Sequence, residues 1–208
     1  MILRTLPRAF LAIVFLAGTS PVASAAPAVE DYARQTLDAG VAILKDKSLS
    51  ASARRARVDE FLLATLDVKR LALFMLGDAA KGASQSDLDA YTQAFQNFTL
   101  ANYTSDLGAY DGETFAIVGS KQHATGDYIL SVNVIEPSAS ASDVPATVRF
   151  RIVDENGKIA VVDANVEGVW FELAQRDSIR AFLAQNRGSI PKLVDYLNQK
   201  TAQFSAAP

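Results

Sequence analysis

The chain has 208 residues, a formal charge of −3, one histidine and no cysteine. Disulfides, thiol nucleophiles, cysteine-bearing metal sites and multi-histidine centres are therefore excluded. No basic stripe stands out beyond Arg54, Arg55 and Arg57, which argues against nucleic-acid binding, and the acidic balance disfavours direct adhesion to anionic lipid surfaces.

The first residues read as a cleaved secretory signal. Arg4 and Arg8 precede the apolar run AFLAIVFLAG, and Ala23-Ser24-Ala25 supplies small residues at the spacing a signal peptidase reads. The run falls short of the roughly 20 apolar residues a membrane span needs. Cleavage after Ala25 leaves residues 26–208 as one expected domain outside the cytoplasm, and losing the two arginines takes the formal charge from −3 to −5.

Helices come next. Val29, Tyr32, Ala33, Leu37, Val41 and Leu44 recur at three- and four-residue steps, giving one apolar face. After KDKSLS, Ser50 or Ser52 caps a second helix that carries Val58, Phe61, Leu62 and Leu66 inward. Asp67 caps a third, whose run Leu71-Ala72-Leu73-Phe74-Met75-Leu76 is apolar nearly all round and stops at Gly77. Such a run packs into an ordinary core or around something itself apolar. Ser84 and Asp87 resemble a capping box for a long helix carrying Leu88, Tyr91, Phe95, Phe98 and Leu107. Its expected end is Leu107 or Tyr110, with a turn at Asp111-Gly112.

The hydrophobic period then changes to two. ETFAIVGS, DYILSVNVIE, ATVRFRIVD and IAVVDANVEG read as four strands. ENGK is a tight hairpin signal between the last two, and GSKQHATGDY reads as a polar hairpin loop holding His123. Short connections predict an antiparallel meander. Helix resumes at Val169 and runs to Gly188, and a final amphipathic helix opens with Pro191 in its first turn. The fold class is α+β: a twisted four-stranded antiparallel sheet with helices on one face.

Catalytic signatures are scarce. No nucleophile elbow, P-loop or dinucleotide fingerprint occurs. A triad would have to use His123, with Asp127 or a nearby acid. Asp87 and Asp89 sit two apart on a helix and diverge, while Asp106 and Asp111 suit the helix end and the turn. What the chain has in excess is aromatic and branched apolar surface, which fills a core or lines a cavity with the same residues.

The ordered set Asp67, Leu76-Gly77, Phe95, Tyr103, Leu107, Tyr110, Gly112-Glu113-Thr114, and then Glu167-Gly168-Val169, Arg176, Phe182 and Gly188, resembles the MlaC family, also called the toluene-tolerance or Ttg2-type periplasmic lipid-binding proteins. The resemblance covers nearly all of residues 26–208. It implies an NTF2-like fold with an apolar cavity between sheet and helices. It also implies a monomeric periplasmic carrier that takes phospholipid between an outer-membrane lipoprotein complex and an inner-membrane ABC transporter bearing an MCE-domain ring. The expected cargo is a lipid, with no cofactor, no metal and no covalent chemistry. Trp170 and Gln175 depart from the family pattern, and a hopanoid-associated branch, HpnM, is the alternative home; the other readings are an envelope adaptor with a filled core and an enzyme using His123. Two acyl chains hold about 30 methylenes, and exposing them would cost on the order of 24 kcal/mol, so the chains must be enclosed. Periodicity and resemblance together nominate Leu71, Phe74, Met75, Phe95, Phe98, Tyr103, Val132, Val134, Val148, Phe150, Val166 and Trp170 as lipid-binding residues, with Arg149 and Arg151 available to a partner or phosphate.

Overall fold

A computed structural model describes residues 27–105, 110–140 and 142–205. The signal segment, Asp106 and Leu107 lie outside the described residues. Among the described residues, six α-helices and five strands follow the order ααααβββββαα.

Helix α1 spans Pro27–Lys45 and α2 spans Ala51–Thr65, whose N-cap Ser50 accepts the Ala53 N–H at 3.2 Å. Helix α3, Val68–Leu76, begins with the Asp67 carboxylate accepting the Arg70 N–H at 3.1 Å. Gly77 closes it at φ +58° and ψ −132°, a conformation only glycine adopts without strain. A 3₁₀ segment, Gly77–Gly82, leads to α4, Gln85–Thr104. Ser84 caps α4 reciprocally: its Oγ accepts the Asp87 N–H and donates to the Asp87 carboxylate.

Helix α4 is described to Thr104 with Ser105 as its C-cap, and its expected end at Leu107 lies outside the described residues. The hydroxyl of Thr104 donates to the Leu100 carbonyl and that of Ser105 to the Asn102 carbonyl, so side chains compete for the acceptors of the last turn. Tyr110 lies beyond the helix, its hydroxyl donating to the Glu113 carbonyl at 3.0 Å. The Asp111 N–H bonds the Glu113 carboxylate there, as a turn requires.

The sheet is a meander in the order β1-β2-β3-β4-β5, antiparallel throughout. Its strands are Thr114–Ala124, Asp127–Ile135, Ala146–Glu155, Lys158–Val166 and Val169–Trp170. Two expectations are corrected. The sheet has five strands, not four: Glu167 and Gly168 both take positive φ, the geometry of a tight hairpin, and fold Val169 back onto Val166 before the helix can start. His123 is on a strand, not in a loop, because β1 continues to Ala124 and turns at Thr125-Gly126. Gly126 is required there. A Cβ would stand 2.5 Å from the Asp154 carbonyl oxygen, and the Gly126 carbonyl accepts the Asp154 N–H at 2.8 Å.

Helix α5, Phe171–Gln185, and α6, Ile190–Ser205, complete the chain. Gly188, at φ +73°, donates back to the Leu183 carbonyl at 2.8 Å and terminates α5 as expected.

Apolar burial divides into two clusters. One joins α3, α4, α5 and α6 through Leu71, Met75, Leu76, Tyr91, Phe95, Ile179, Leu183, Leu193 and Leu197. Of the run Leu71–Leu76, only Phe74 is exposed. The other cluster sets Val29 and Ala33 of α1 on Tyr128, Leu130, Val132 and Ile152 of the sheet. Burial of this kind stabilises by about 25 cal/mol per Å² of apolar surface.

Candidate functional site: an apolar cavity between the two cores

A cavity of about 350 Å³ lies between the two clusters. Its walls come from six segments. Helix α1 contributes Tyr32, Ala33, Thr36, Leu37, Gly40, Val41 and Leu44, and α2 contributes Phe61, Leu62 and Thr65. Leu71 and Met75 enter from α3, and Phe95, Phe98, Thr99, Asn102 and Tyr103 from α4. The sheet supplies Phe115, Leu130, Phe150, Ile152 and Val161–Ala164, and α5 supplies Phe171, Glu172 and Gln175. The lining is dominated by carbon. Tyr103 and Phe171 both line the space and are exposed, so they stand at its mouth.

The helical wall depends on one close approach. A Cβ on Gly40 would meet the Phe61 ring at 3.2 Å, so the absence of a side chain lets α2 lean its aromatic ring onto α1 and into the cavity. Across from it, Leu66 makes an isolated parallel bridge to Val161, which ties the α2–α3 junction to β4.

Of the twelve nominated residues, the structure gathers Leu71, Met75, Phe95, Phe98, Tyr103 and Phe150 at the cavity. The other six stand elsewhere. Val132 is fully buried beneath α1, in the core rather than the wall. Val134, Val148 and Val166 belong to the next rows of the sheet: the register pairs Leu130 with Phe150 at the cavity, then Val132 with Val148 and Val148 with Val166 beyond it. Trp170 pairs with Asn165 on the short β5. Phe74 points outward, its ring capped by the Arg176 guanidinium at 4.5 Å, a cation–π contact.

Sequence reasoning missed most of the wall given by α1 and α2. The apolar face of α1 was legible, but only Val29 and Ala33 on it are buried. The rest of the face turns to the cavity, a distinction no periodicity contains. Gly40 was the available signal, since a glycine inside a helix costs about 1 kcal/mol relative to alanine and marks a close contact.

Polar groups concentrate where β4 meets α5. The Asp163 Oδ1 accepts the Ala164 N–H at 2.7 Å and the Glu172 N–H at 3.0 Å. It thereby caps the first turn of α5, where the N-cap residue Trp170 offers no side-chain bond. Burial pushes the Asp163 carboxyl above the usual carboxylate range, against those two bonds and the field of Arg151. Burial also raises Glu172, reinforced by the Asp163 charge and opposed by Arg151, Arg70 and Arg176. Tyr103 is exposed as a residue, but its hydroxyl end is packed among protein atoms, and that desolvation, with Asp163, raises its pKa. Arg151 itself forks onto Asp127 at 2.8–3.3 Å, and the bond to that carboxylate raises its pKa.

His123 lies on the sheet in a shallow groove with Lys121, Ile129, Ser131 and Arg149, apart from the cavity. Asp127, its nominated partner, is taken up by Arg151. Among the described residues no cluster of His, Asp or Glu could hold a metal ion, and no helix is long and apolar enough to cross a membrane.

No curated protein matches the chain by sequence. Among solved structures it is similar to the phospholipid-binding protein from Ralstonia solanacearum in complex with a phospholipid. The TM-score is 0.73 at 17% identity, covering 85% of this chain and 98% of that one. At that identity the likeness carries the fold, and the bound lipid belongs to the Ralstonia protein. The family model described as MlaC protein matches residues 34–199, and on that span the chain belongs to the MlaC family.

Proposed function

We propose that this protein is a periplasmic lipid carrier: it encloses the acyl portion of a phospholipid in the cavity between sheet and helices and moves it between the outer and inner membranes. The observation that carries this reading is the cavity itself, about 350 Å³ walled by aliphatic and aromatic side chains with Tyr103 and Phe171 at its mouth. An acyl chain gains about 0.8 kcal/mol for each methylene removed from water, so a lined interior is what such cargo requires. Family membership and the phospholipid in the Ralstonia relative support the same class of guest.

In this reading Leu71, Met75, Phe95, Phe98 and Phe150 contact the chains, joined by Leu37, Val41, Leu44 and Phe61 from α1 and α2. A cleaved signal peptide and residues 26–208 as one lipid-binding domain belong to the proposal. So do delivery partners of the Mla type, an outer-membrane lipoprotein complex and an inner-membrane MCE-domain ABC transporter. The role is binding and transfer rather than catalysis.

The test is organic extraction of protein purified without detergent, followed by mass spectrometry. Phospholipid in near-stoichiometric amount is the expected result. Natively purified protein that carries no lipid and takes none up from vesicles would overturn the reading.

A further inference from the structure

We infer that the cavity wall around Glu172 is a polar subsite that receives a hydrogen-bond-donating, non-anionic group of the guest, an ammonium or a hydroxyl, and turns an anionic group away. The inference deepens the carrier reading and rests on it.

Asp163 is accounted for by the fold, since its oxygen caps α5. Glu172 is not. It lines the cavity and is only 9% exposed, and among the described residues nothing donates a hydrogen bond to its carboxylate. Of the nearby cations, Arg151 forks onto Asp127, Arg70 pairs with Glu155, and Arg176 lies over Phe74 with its Nε unpartnered. Their fields reach Glu172, but none of them bonds to it.

A carboxylate held beside an apolar cavity without a protein donor is costly even where its oxygens open onto the cavity. A donor that arrives with the guest removes that cost and gains a charge-assisted bond. Thr99, Asn102, Tyr103 and Gln175 line the same cavity, and their side chains likewise have no hydrogen-bond partner among the described residues. An anionic group placed here would face Asp163 and Glu172 together, two carboxyls of its own sign, and would be held out at the mouth. The wall therefore reads the polar end of a lipid, while the apolar remainder reads its chains.

The probes are hexadecylamine, hexadecanol and hexadecanoate, which share a chain and differ at one end. They compete near neutral pH for cargo-stripped protein loaded with the neutral fluorophore 1-N-phenylnaphthylamine. The amine and the alcohol are expected to outcompete the carboxylate by about tenfold or more. Glu172→Gln should shrink the amine-over-carboxylate preference by about tenfold while leaving the alcohol nearly unchanged, because the amide oxygen still accepts. Gln175→Glu, which adds a carboxyl to the same wall, should widen the preference and keeps the test open if the first variant folds poorly. Asp177→Asn removes an equal charge from the exposed side of α5 and should leave the order unmoved.

Equal binding of the three probes, an unchanged order in Glu172→Gln, a uniform loss for all three, or a shift in Asp177→Asn as large as that in Glu172→Gln would each overturn the subsite and leave the carrier reading standing. Failure of every probe to bind would overturn both.

Discussion

Removing the guest should destabilise the protein by a large fraction of its total stability. An empty dry cavity costs about 24 cal/mol per Å³ in large-to-small core substitutions, so about 350 Å³ corresponds to about 8 kcal/mol. Domains of this size are stable by about 5–15 kcal/mol in all, so the vacancy matches the whole margin in scale. Water entering past Tyr103 and Phe171 relieves part of the cost, which makes 8 kcal/mol a ceiling. Each kcal/mol shifts the melting temperature by about 2–4 °C in a chain of this length, so the ceiling is about 16–32 °C and a shift of about 10 °C is expected between loaded and stripped protein. Differential scanning calorimetry of natively purified protein, of the same protein after solvent extraction, and of the extracted protein reloaded from vesicles supplies the three curves. Reloading should restore the upper transition, since a ligand that binds only the folded state raises its stability by mass action. A shift under about 3 °C in protein shown by mass spectrometry to have lost its lipid would refute the reasoning, because the space would then be neither vacant nor filled by the guest.

Tyr91 is fully buried in the helical core, and its hydroxyl has no hydrogen-bond partner. Burial alone raises its pKa well above the ordinary phenol value. Tyr91→Phe should therefore be neutral or stabilising by up to about 1 kcal/mol in urea unfolding, and a loss above that size would mean the hydroxyl is satisfied. Asp163 and Glu172, both raised, bind more protons folded than unfolded, so their contribution to stability falls as pH rises from the unfolded carboxylate range through their folded values. Glu172→Gln should accordingly raise stability at neutral pH and flatten this part of the profile, read as melting temperature against pH; a parallel profile would contradict the assignment. Arg151→Met leaves the buried Asp127 without its fork and should cost about 1–3 kcal/mol in denaturant titration. Gly126→Ala forces a Cβ against the Asp154 carbonyl at a positive φ and should cost more than about 1 kcal/mol, a value that near-zero loss in the same titration would refute.

Local chemistry made the element boundaries readable. Ser50, Asp67 and Ser84 cap the helices they precede, and Gly77 and Gly188 end theirs. Alternation found β2 and β3. The four valines that stand off the cavity wall share one cause. Val132, Val134, Val148 and Val166 share the face of Phe150, but which row of that face lies over empty space depends on where α1 crosses the sheet. That is tertiary information. Val169-Trp170 became a strand because Glu167, a residue with no special turn preference, adopts positive φ beside Gly168. Glu172 was invisible for a different reason. A glutamate in the first turn of a helix is ordinary, favoured by the helix dipole, and only its position against the cavity makes it exceptional.

The two clusters each have members that never reach the cavity, and this separates two kinds of evolutionary constraint. Substitutions in Leu193 or Val132 are answered by neighbours within one cluster, whereas Val41, Leu44 and Leu62 belong to neither and answer to whatever fills the space between. Such side chains are free to drift in size and shape without unfolding the scaffold. A lineage built this way can reshape its cavity one wall residue at a time and keep its architecture, which fits a shared fold with the Ralstonia protein at 17% identity.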